Sequence, residues 1–271
     1  MKTILLHVHN DDGQPTRLAA AIALARAFDG RIQCVQVSPL SSYVVTEPFG
    51  GMYMVGQLYE EMERQARESK AAIDVALTEA NVAYDWIGFD GGVSQSLVIW
   101  SRLSDIIVLS QVGAHKEIKI PPIPIVGDVA LHARTPVLVV PILPSRAFDR
   151  AGPFMVAWNG SPESANALRA SLLLLSRASK VSLVTVDGDT GDFPVEKAIA
   201  YLALHGIEAS EHAVRSDGGS VAAALIAAAT SLRVSCVVMG AYGHSRFREA
   251  VLGGVTRSML EESPVPLLLA H

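Results

Sequence analysis

Four glycines follow a short apolar run near the end of the chain. The run at 236–239 is followed by Gly240 and Gly243, and nine residues later by Gly253 and Gly254. We interpret the run as a buried parallel strand and the residues after Gly253 as a helix, because apolar residues recur there at helical spacing. Glycine lets the backbone turn tightly and approach a ligand, and the free amide groups of a helix N-terminus favour an anion. The spacing therefore predicts a cradle for phosphate.

This order of strand, glycines and helix resembles the nucleotide-binding motif of the universal stress protein family. That motif has Gly, two residues, Gly, nine residues, Gly and then Ser or Thr, and here Gly254 stands at the hydroxyl position. The resemblance implies binding of ATP or another adenine nucleotide, with Mg²⁺ as an optional companion. It implies phosphate contacts at the strand end and the helix start, at Met239, Gly240, Gly243, Gly253, Gly254, Val255 and Thr256.

The resemblance also implies an adenosine pocket at the carboxyl ends of the strands. Its positions fall on Asn159, at the end of the first strand of the second half, and approximately on Val186, in the second strand. Family members often carry Asp where Asn159 stands, and an amide can still hydrogen-bond a base or a ribose. His244 and Arg246 lie in the nine-residue loop, where such side chains can reach a β- or γ-phosphate. The alternative is that Arg246 pairs with Glu249 or with solvent.

An internal repeat divides the chain into two similar halves. An offset of 130 residues places 105–113 on 235–243 without a gap. Each half alternates five predicted strands with helices. This pattern predicts an α/β fold with two tandem, doubly wound parallel sheets of five strands, of the Rossmann-like or flavodoxin-like type. We expect an N-terminal domain at 1–143 and a C-terminal domain at 152–271.

The last predicted strands of the two halves are the matching edges at 136–140 and 265–270. Universal stress proteins commonly pair their domains through these strands. The resemblance therefore implies an intramolecular pair with a pseudo-twofold axis, and it leaves open a homodimer of the whole chain. The insertion at 38–57, rich in Gly, Pro, Tyr and Met, is interpreted as a mobile flap or an interface loop.

The phosphate loop is not preserved in the first half. The same offset keeps Gly113 but places Ser110, Ile123 and Pro124 on glycine positions. Proline has no amide hydrogen to offer, and the β-branched side chain of Ile123 crowds the place of the phosphate oxygens. We therefore expect the N-terminal site to be degenerate and a nucleotide to bind in the C-terminal domain only.

Two histidines at the end of the first strand raise the question of a metal. His7 and His9 point to the same face of a predicted strand, and His9 stands at the position of Asn159 in the repeat. Imidazoles are common metal ligands, but the sequence places no third ligand nearby. We interpret both as polar residues at a sheet edge and expect no metal site.

Composition and charge limit the kinds of partner and the cellular compartment that we expect for this chain. Half of the residues are hydrophobic, 18% are charged, and the formal net charge is −5. The few basic residues form no stripe, which argues against nucleic acid as a partner. The longest apolar stretch, 221–240, is interrupted by Thr230 and Arg233, which argues against a membrane span. The start of the chain lacks the pattern of a signal peptide, and Cys34 and Cys236 fall in buried strands of different halves, so we expect a reducing cytoplasm.

Three functions remain as hypotheses. The first is a cytoplasmic stress-response protein whose C-terminal domain binds an adenine nucleotide and whose occupancy regulates interactions, as the resemblance implies. The second is a nucleotide-free tandem module that binds a protein partner, which the departures at Gly254 and Asn159 favour. The third, slow nucleotide hydrolysis or phosphoryl transfer, needs Mg²⁺ ligands and a water-orienting group that the motif does not supply. With no catalytic constellation evident, we expect a protein that is not an enzyme.

Overall fold

The computed structural model describes residues 1–38, 52–111, 125–145, 147–191, 193–241 and 253–271. The first half contains β1 (Thr3–Val8), α1 (Gln14–Phe28), β2 (Arg31–Ser38), α2 (Met52–Glu79), β3 (Tyr84–Asp90), α3 (Val93–Trp100), β4 (Ile106–Ser110), α4 (Ile125–His132) and β5 (Val137–Val140). The second half contains β6 (Pro153–Ala157), α5 (Pro162–Ala170), α6 (Leu172–Leu175), β7 (Lys180–Val186), α7 (Val195–Leu204), β8 (Ala209–Val214), α8 (Val221–Ser231), β9 (Cys236–Gly240), α9 (Gly254–Glu262) and β10 (Leu267–Ala270).

The described strands form one ten-stranded sheet in the order β3-β2-β1-β4-β5-β10-β9-β6-β7-β8. Neighbouring strands within each half are parallel. The predicted fold of two doubly wound, five-stranded halves is therefore confirmed. Because the chain winds outward in both directions from β1 and from β6, each half has a switch point, between β1 and β4 and between β6 and β9, where ligands bind in such sheets.

The halves meet at their fifth strands. β5 and β10 pair antiparallel, with Leu268 opposite Leu138. Both leucines are almost fully buried. An unpaired strand edge of this apolar character would expose backbone donors and acceptors together with hydrophobic side chains. Joining the edges inside one chain removes that exposure and gives the molecule the internal pair that the sequence predicts.

The sheet is covered on both faces, which explains its continuous apolar strands. One face packs against helices that include α1, α5 and α7, and the other against helices that include α3, α4, α8 and α9. The predicted start of α5 is also confirmed: Ser161 Oγ accepts a hydrogen bond from the amide of Ser164 at 3.2 Å, with Pro162 in the first turn. Such a cap satisfies an amide that the helix itself leaves free.

Two connecting segments remain to be placed: the insertion at 38–57 and the connection between β5 and β6. Of the insertion at 38–57, residues 39–51 lie outside the described residues, and the last six belong to α2. The connection between β5 and β6 is bonded to the second half, since Ser145 donates from both its amide and its hydroxyl to the carbonyl of Pro264 at 2.9 and 3.0 Å.

Within the described residues, no helix combines the length and the hydropathy that crossing a bilayer requires.

Candidate functional site

A cavity of about 360 Å³ lies at the carboxyl ends of β6, β7 and β9, beside the switch point of the second half. Apolar side chains from β7, α8 and β9 form part of its lining, and the loop after β6 and the start of α9 also border it. The lining residues are Ala157, Trp158, Asn159, Ser161, Glu163, Ser164, Val184, Val186, Asp187, Asp189, Val221, Leu225, Met239, Gly240, Gly253, Gly254, Val255 and Thr256.

Most residues that the sequence assigns to the site line this one cavity. They are Asn159, Val186, Met239, Gly240, Gly253, Gly254, Val255 and Thr256. Gly243, His244 and Arg246 lie outside the described residues, as do Gly113, Ile123 and Pro124 of the first half. The two positions assigned to adenosine and the six assigned to phosphate therefore surround the same space.

The start of α9 has a form that suits an anion. Gly253 is the N-cap residue and supplies no side-chain cap. The first intrahelical bond runs from the amide of Arg257 to the carbonyl of Gly253 at 3.0 Å, so the amides of Gly254, Val255 and Thr256 have no helical acceptor. The positive end of the helix dipole adds to this preference for negative charge.

Gly253 and Gly254 leave open space where a side chain would stand. A Cβ built on either residue meets no described atom within 4 Å. Gly253 has φ −54°, which any residue adopts. Neither contact with described residues nor backbone conformation accounts for a glycine at either position, and a ligand lying against the helix start would account for both.

Gly240 has a packing reason in addition to the ligand contact that the motif suggests. A Cβ on Gly240 would lie 2.6 Å from the carbonyl carbon of Glu163 and 2.7 Å from the amide nitrogen of Ser164. Such distances are far shorter than van der Waals contact. This glycine lets the start of α5 pack directly on the end of β9, and it also lines the cavity where the sequence predicts a ligand contact.

Asn159 is held by the turn that begins α5. Its Oδ1 accepts from the hydroxyl of Ser161 at 2.8 Å and from the amide of Ser161 at 3.3 Å. The carbonyl end of the side chain is thus engaged, which leaves the amide nitrogen as the group able to contact a ligand. This position offers a donor to a ligand, whereas a carboxylate in the same place would offer an acceptor.

Three carboxylates in the cavity wall were missed by the sequence reasoning. Asp187 and Asp189 follow β7, and Glu163 stands in the first turn of α5. Asp187 Oδ1 accepts from the amide of Ser216 at 2.9 Å, and the side-chain and backbone hydrogen bonds of Ser216 lower the pKa of this carboxyl. Glu163 Oε2 is buried and has no hydrogen-bond partner among the residues that the structure describes. The signal available in the sequence was position, because acids directly after the second strand must lie near the predicted adenosine pocket.

The described lining of the cavity therefore carries negative charge and no lysine, arginine or histidine. A nucleotide phosphate placed here would depend on the amides of α9, on a bound cation or on residues outside the described ones. Charged phosphate close to carboxylates is unfavourable unless positive charge intervenes.

The described residues contain no group of three His, Cys, Asp or Glu side chains arranged to hold a metal ion. The rings of His7 and His9 stack with centroids 5.9 Å apart at the end of β1. Desolvation by burial, followed by Asp74, raises the pKa of the Cys34 thiol to about 12. A thiol held protonated in this way is a poor metal ligand and a poor nucleophile.

Comparison with known proteins agrees with the fold. Residues 152–271 match the profile of the Universal stress protein family. A universal stress protein from Archaeoglobus fulgidus DSM 4304 superposes with TM-score 0.73 and 18% identity over 99% of this chain and 97% of its own. A putative universal stress protein from Pseudomonas aeruginosa superposes with TM-score 0.61 and 12% identity over 100% of this chain and 93% of its own. The comparison with curated proteins found no match. At these identities the structural similarity establishes the fold alone.

Proposed function

Residues 152–271 form a domain of the universal stress protein family, and from that premise we propose that this half binds ATP or a related adenine nucleotide and that its occupancy regulates contacts with other proteins. In this proposal residues 1–143 form the N-terminal domain, which binds no nucleotide. In this proposal the domain acts by binding rather than by catalysis.

One observation carries the proposal. The uncapped start of α9 faces a cavity at the switch point, and the two glycines there have neither a packing nor a conformational reason among the described residues. Phosphate would lie against the amides of Gly254 and Val255 and the hydroxyl of Thr256. The nucleoside would lie against the apolar wall that includes Val186, with Asn159 donating from its amide nitrogen.

The carboxylates of the cavity lining lead to an expectation about Mg²⁺. The described cavity lining has three carboxylates, Glu163, Asp187 and Asp189, and no cationic side chain. Mg²⁺ carried by the phosphates would reduce the repulsion between these carboxylates and the nucleotide. We expect ATP to bind more tightly with Mg²⁺ present than without it. His244 and Arg246, which the sequence places in the same loop, would act in the same direction.

The first experiment is mass spectrometry of any ligand released from freshly purified protein. The second is calorimetric titration of stripped protein with ATP, ADP and AMP, with Gly253→Val as the test variant. A branched side chain at Gly253 would occupy the phosphate position, so we expect no measurable binding. Gly88→Val is the matched control, because Gly88 also has open space around its Cβ position but lies in β3, far from the cavity. Unchanged binding by Gly253→Val would refute the assignment.

A second function is favoured by the engagement of Asn159 in the α5 cap, at 2.8 Å from the hydroxyl of Ser161. If Asn159 serves the fold and the hydroxyl missing at Gly254 is essential, the cavity is structural and the chain is a nucleotide-free module for a protein partner. No binding of ATP, ADP or AMP at millimolar concentration to the stripped chain would select this function.

A further inference from the structure

The end of β4 in the first half corresponds to the end of β9 in the second. β1 pairs with β4 at Ile4 and Ile106, and β6 pairs with β9 at Phe154 and Cys236. The last residue of β4 is Ser110, and the last residue of β9 is Gly240. The space between the ends of β1 and β4 is therefore the counterpart of one side of the second-half cavity.

The two halves bring the following helix close to this strand end in opposite ways. In the second half the glycine is on the strand, and the backbone at Ser164 packs against Gly240. In the first half the glycine is in the loop before α1: a Cβ on Gly13 would lie 2.7 Å from the Cβ of Ser110 and 3.0 Å from Nη1 of Arg17. The helix and the strand end therefore approach closely in both halves, but in the first half the side chains of Ser110 and Arg17 lie at this contact.

Arg17 fills the space so created, and its side chain is only 2% exposed. Its guanidinium donates from Nε to the carbonyl of His7 at 3.1 Å, from Nη2 to the carbonyl of His9 and to Gln14 Oε1 at 3.0 Å each, and from Nη1 to Asp11 Oδ1 at 2.8 Å and to Ser110 Oγ. All of these partners are oxygen acceptors. The surroundings match the planar array of donors that only a guanidinium presents.

The corresponding residue of the second half is small. Pro15 and Pro162 both stand in the first turn of their helices, and two residues later come Arg17 and Ser164. Ser164 turns its hydroxyl to its own helix, donating to the carbonyl of Ser161 at 2.8 Å. The second half thus keeps a cavity near the place where the first half holds a cation.

The residues at the ends of β1 and β6 also differ, and the first half again has the larger side chains. By the register of β1 and β6, His7 and His9 stand where the second half has Ala157 and Asn159, which both line the cavity. The two imidazole rings stack on one another at the end of β1. Larger side chains therefore replace cavity-lining residues on the strand as well as on the helix.

We infer that Arg17 is a tethered ligand: the switch point of the first half has become an acceptor-lined site for a guanidinium cation, and the chain supplies the occupant itself. Asp11 provides the balancing charge, while two carbonyls, a hydroxyl and an amide oxygen provide the rest of the site. A site with these groups is unsuited to a phosphate anion. Vacated by mutation, it is expected to accept a small guanidinium compound.

The test uses Arg17→Ala in the full chain, with methylguanidinium as the probe and melting temperature as the readout. Arg17 is almost fully buried, whereas Asp11 is 38% exposed. Removing the guanidinium leaves the buried acceptors of His7 and Ser110 without their donor and opens a cavity, so we expect the melting temperature to fall by roughly 10 °C. Millimolar methylguanidinium should then raise it by a few degrees through binding to the folded state. Methylammonium at equal concentration should not, because an ammonium group cannot donate in a planar fork.

Arg26→Ala is the matched control, since Arg26 lies on the same helix and is exposed, with its guanidinium bonded only to the carbonyl of Ala80 among the described groups. We expect a small loss of stability in Arg26→Ala and no recovery with methylguanidinium. An Arg17→Ala protein as stable as Arg26→Ala, or one that gains no more from methylguanidinium than the control does, would overturn the inference.

A second variant covers the case in which Arg17→Ala does not fold. Arg17→Lys keeps the positive charge but loses the fork, so we expect it to fold with a melting temperature clearly below that of the unmodified chain. A lysine variant with the original melting temperature would show that any cation suffices and would contradict the assignment. No nucleotide enters these measurements, so their outcome is independent of binding in the second half.

Discussion

The glycines of the second half look equivalent in sequence but have different physical roles. Gly240 is required by the backbone of α5, which approaches it to within 2.6 Å of a Cβ position. A side chain at Gly253 or Gly254 would enter space that no described atom occupies, so among the described residues nothing opposes it, and it would interfere only with a bound ligand. The motif was recognisable as a unit in the sequence, but its division into one packing glycine and two glycines in open space was not, because that division depends on a helix distant in sequence.

The open space at Gly254 leads to a prediction about affinity. Gly254→Ser would add a hydroxyl at the helix start, where it can donate to a phosphate oxygen. One charge-assisted hydrogen bond contributes about 1.5–3 kcal/mol before ordering costs, so we expect ATP to bind about tenfold more tightly. Calorimetry at fixed salt and Mg²⁺ measures this. Gly254→Ala is the control, since it adds the Cβ without the hydroxyl, and equal gains in both variants would rule out the hydrogen bond.

His7 leads to a prediction about pH. Burial, then Arg17 and His9, lower the pKa of its imidazole well below the ordinary 6.5. Protons therefore bind more readily to the unfolded chain as the pH falls below about 6.5, and the free energy of unfolding decreases until the folded-state pKa is reached. We expect His7→Asn to reduce this dependence in urea unfolding between pH 8 and pH 5.

Part of the dependence should survive in His7→Asn, because burial also lowers the pKa of His9, although Asp11 opposes that shift. His205→Asn, at an exposed position, is the control and should keep the dependence of the unmodified chain. A His7→Asn protein with the same pH dependence as the control would show that His7 does not cause it.

At the scale of elements, the family resemblance, applied to the alternation of strands and helices, predicted where the candidate site residues meet. It placed Asn159, Val186 and the start of α9 at one end of the sheet, and all three border one cavity. The carboxylates of that cavity were not found, because acids in loops carry no periodic signal. The occupation of the first-half switch point by Arg17 was not found either, because an arginine in a helix is ordinarily exposed.

The packing of α5 on β9 leads to a prediction about stability. In Gly240→Ala the new methyl group would collide with the backbone of Glu163 and Ser164, which cannot rotate away as a side chain could. Overpacking of this kind costs about 1–3 kcal/mol in the free energy of unfolding. Denaturant unfolding measures it, with Gly88→Ala as the control in open space. No loss in Gly240→Ala would contradict the close approach of the helix.

At the scale of the whole molecule, the resemblance to universal stress proteins implied the internal pair, and the structure has it. The repeat identified the last strands as corresponding apolar edges, and these strands pair antiparallel at the centre of the sheet. The repeat revealed the lost glycines of the first half, but it could not predict that Arg17 fills the switch point there. Duplication preserves hydrophobic periodicity, whereas single substitutions such as the arginine at position 17 decide whether a cavity remains.

The central strand pair leads to a prediction about coupling. Leu138→Ala and Leu268→Ala should each lower the free energy of unfolding by about 2–5 kcal/mol, since both side chains are buried. Because the two residues are directly opposite, we expect the double variant to deviate from the sum by at least about 0.5 kcal/mol. Leu138→Ala combined with Leu202→Ala, on the distant helix α7, should be additive. Additivity in both pairs would contradict a shared core across the halves.

The central claim is that the two halves have separate tasks, with one nucleotide site per chain. Titration of the stripped, full-length protein with ATP, read as a molar ratio by calorimetry, tests it most directly. The account predicts one site per chain in the unmodified protein and in Gly88→Val, and none in Gly253→Val. Two equivalent sites per chain, or a single site that survives in Gly253→Val, would contradict it.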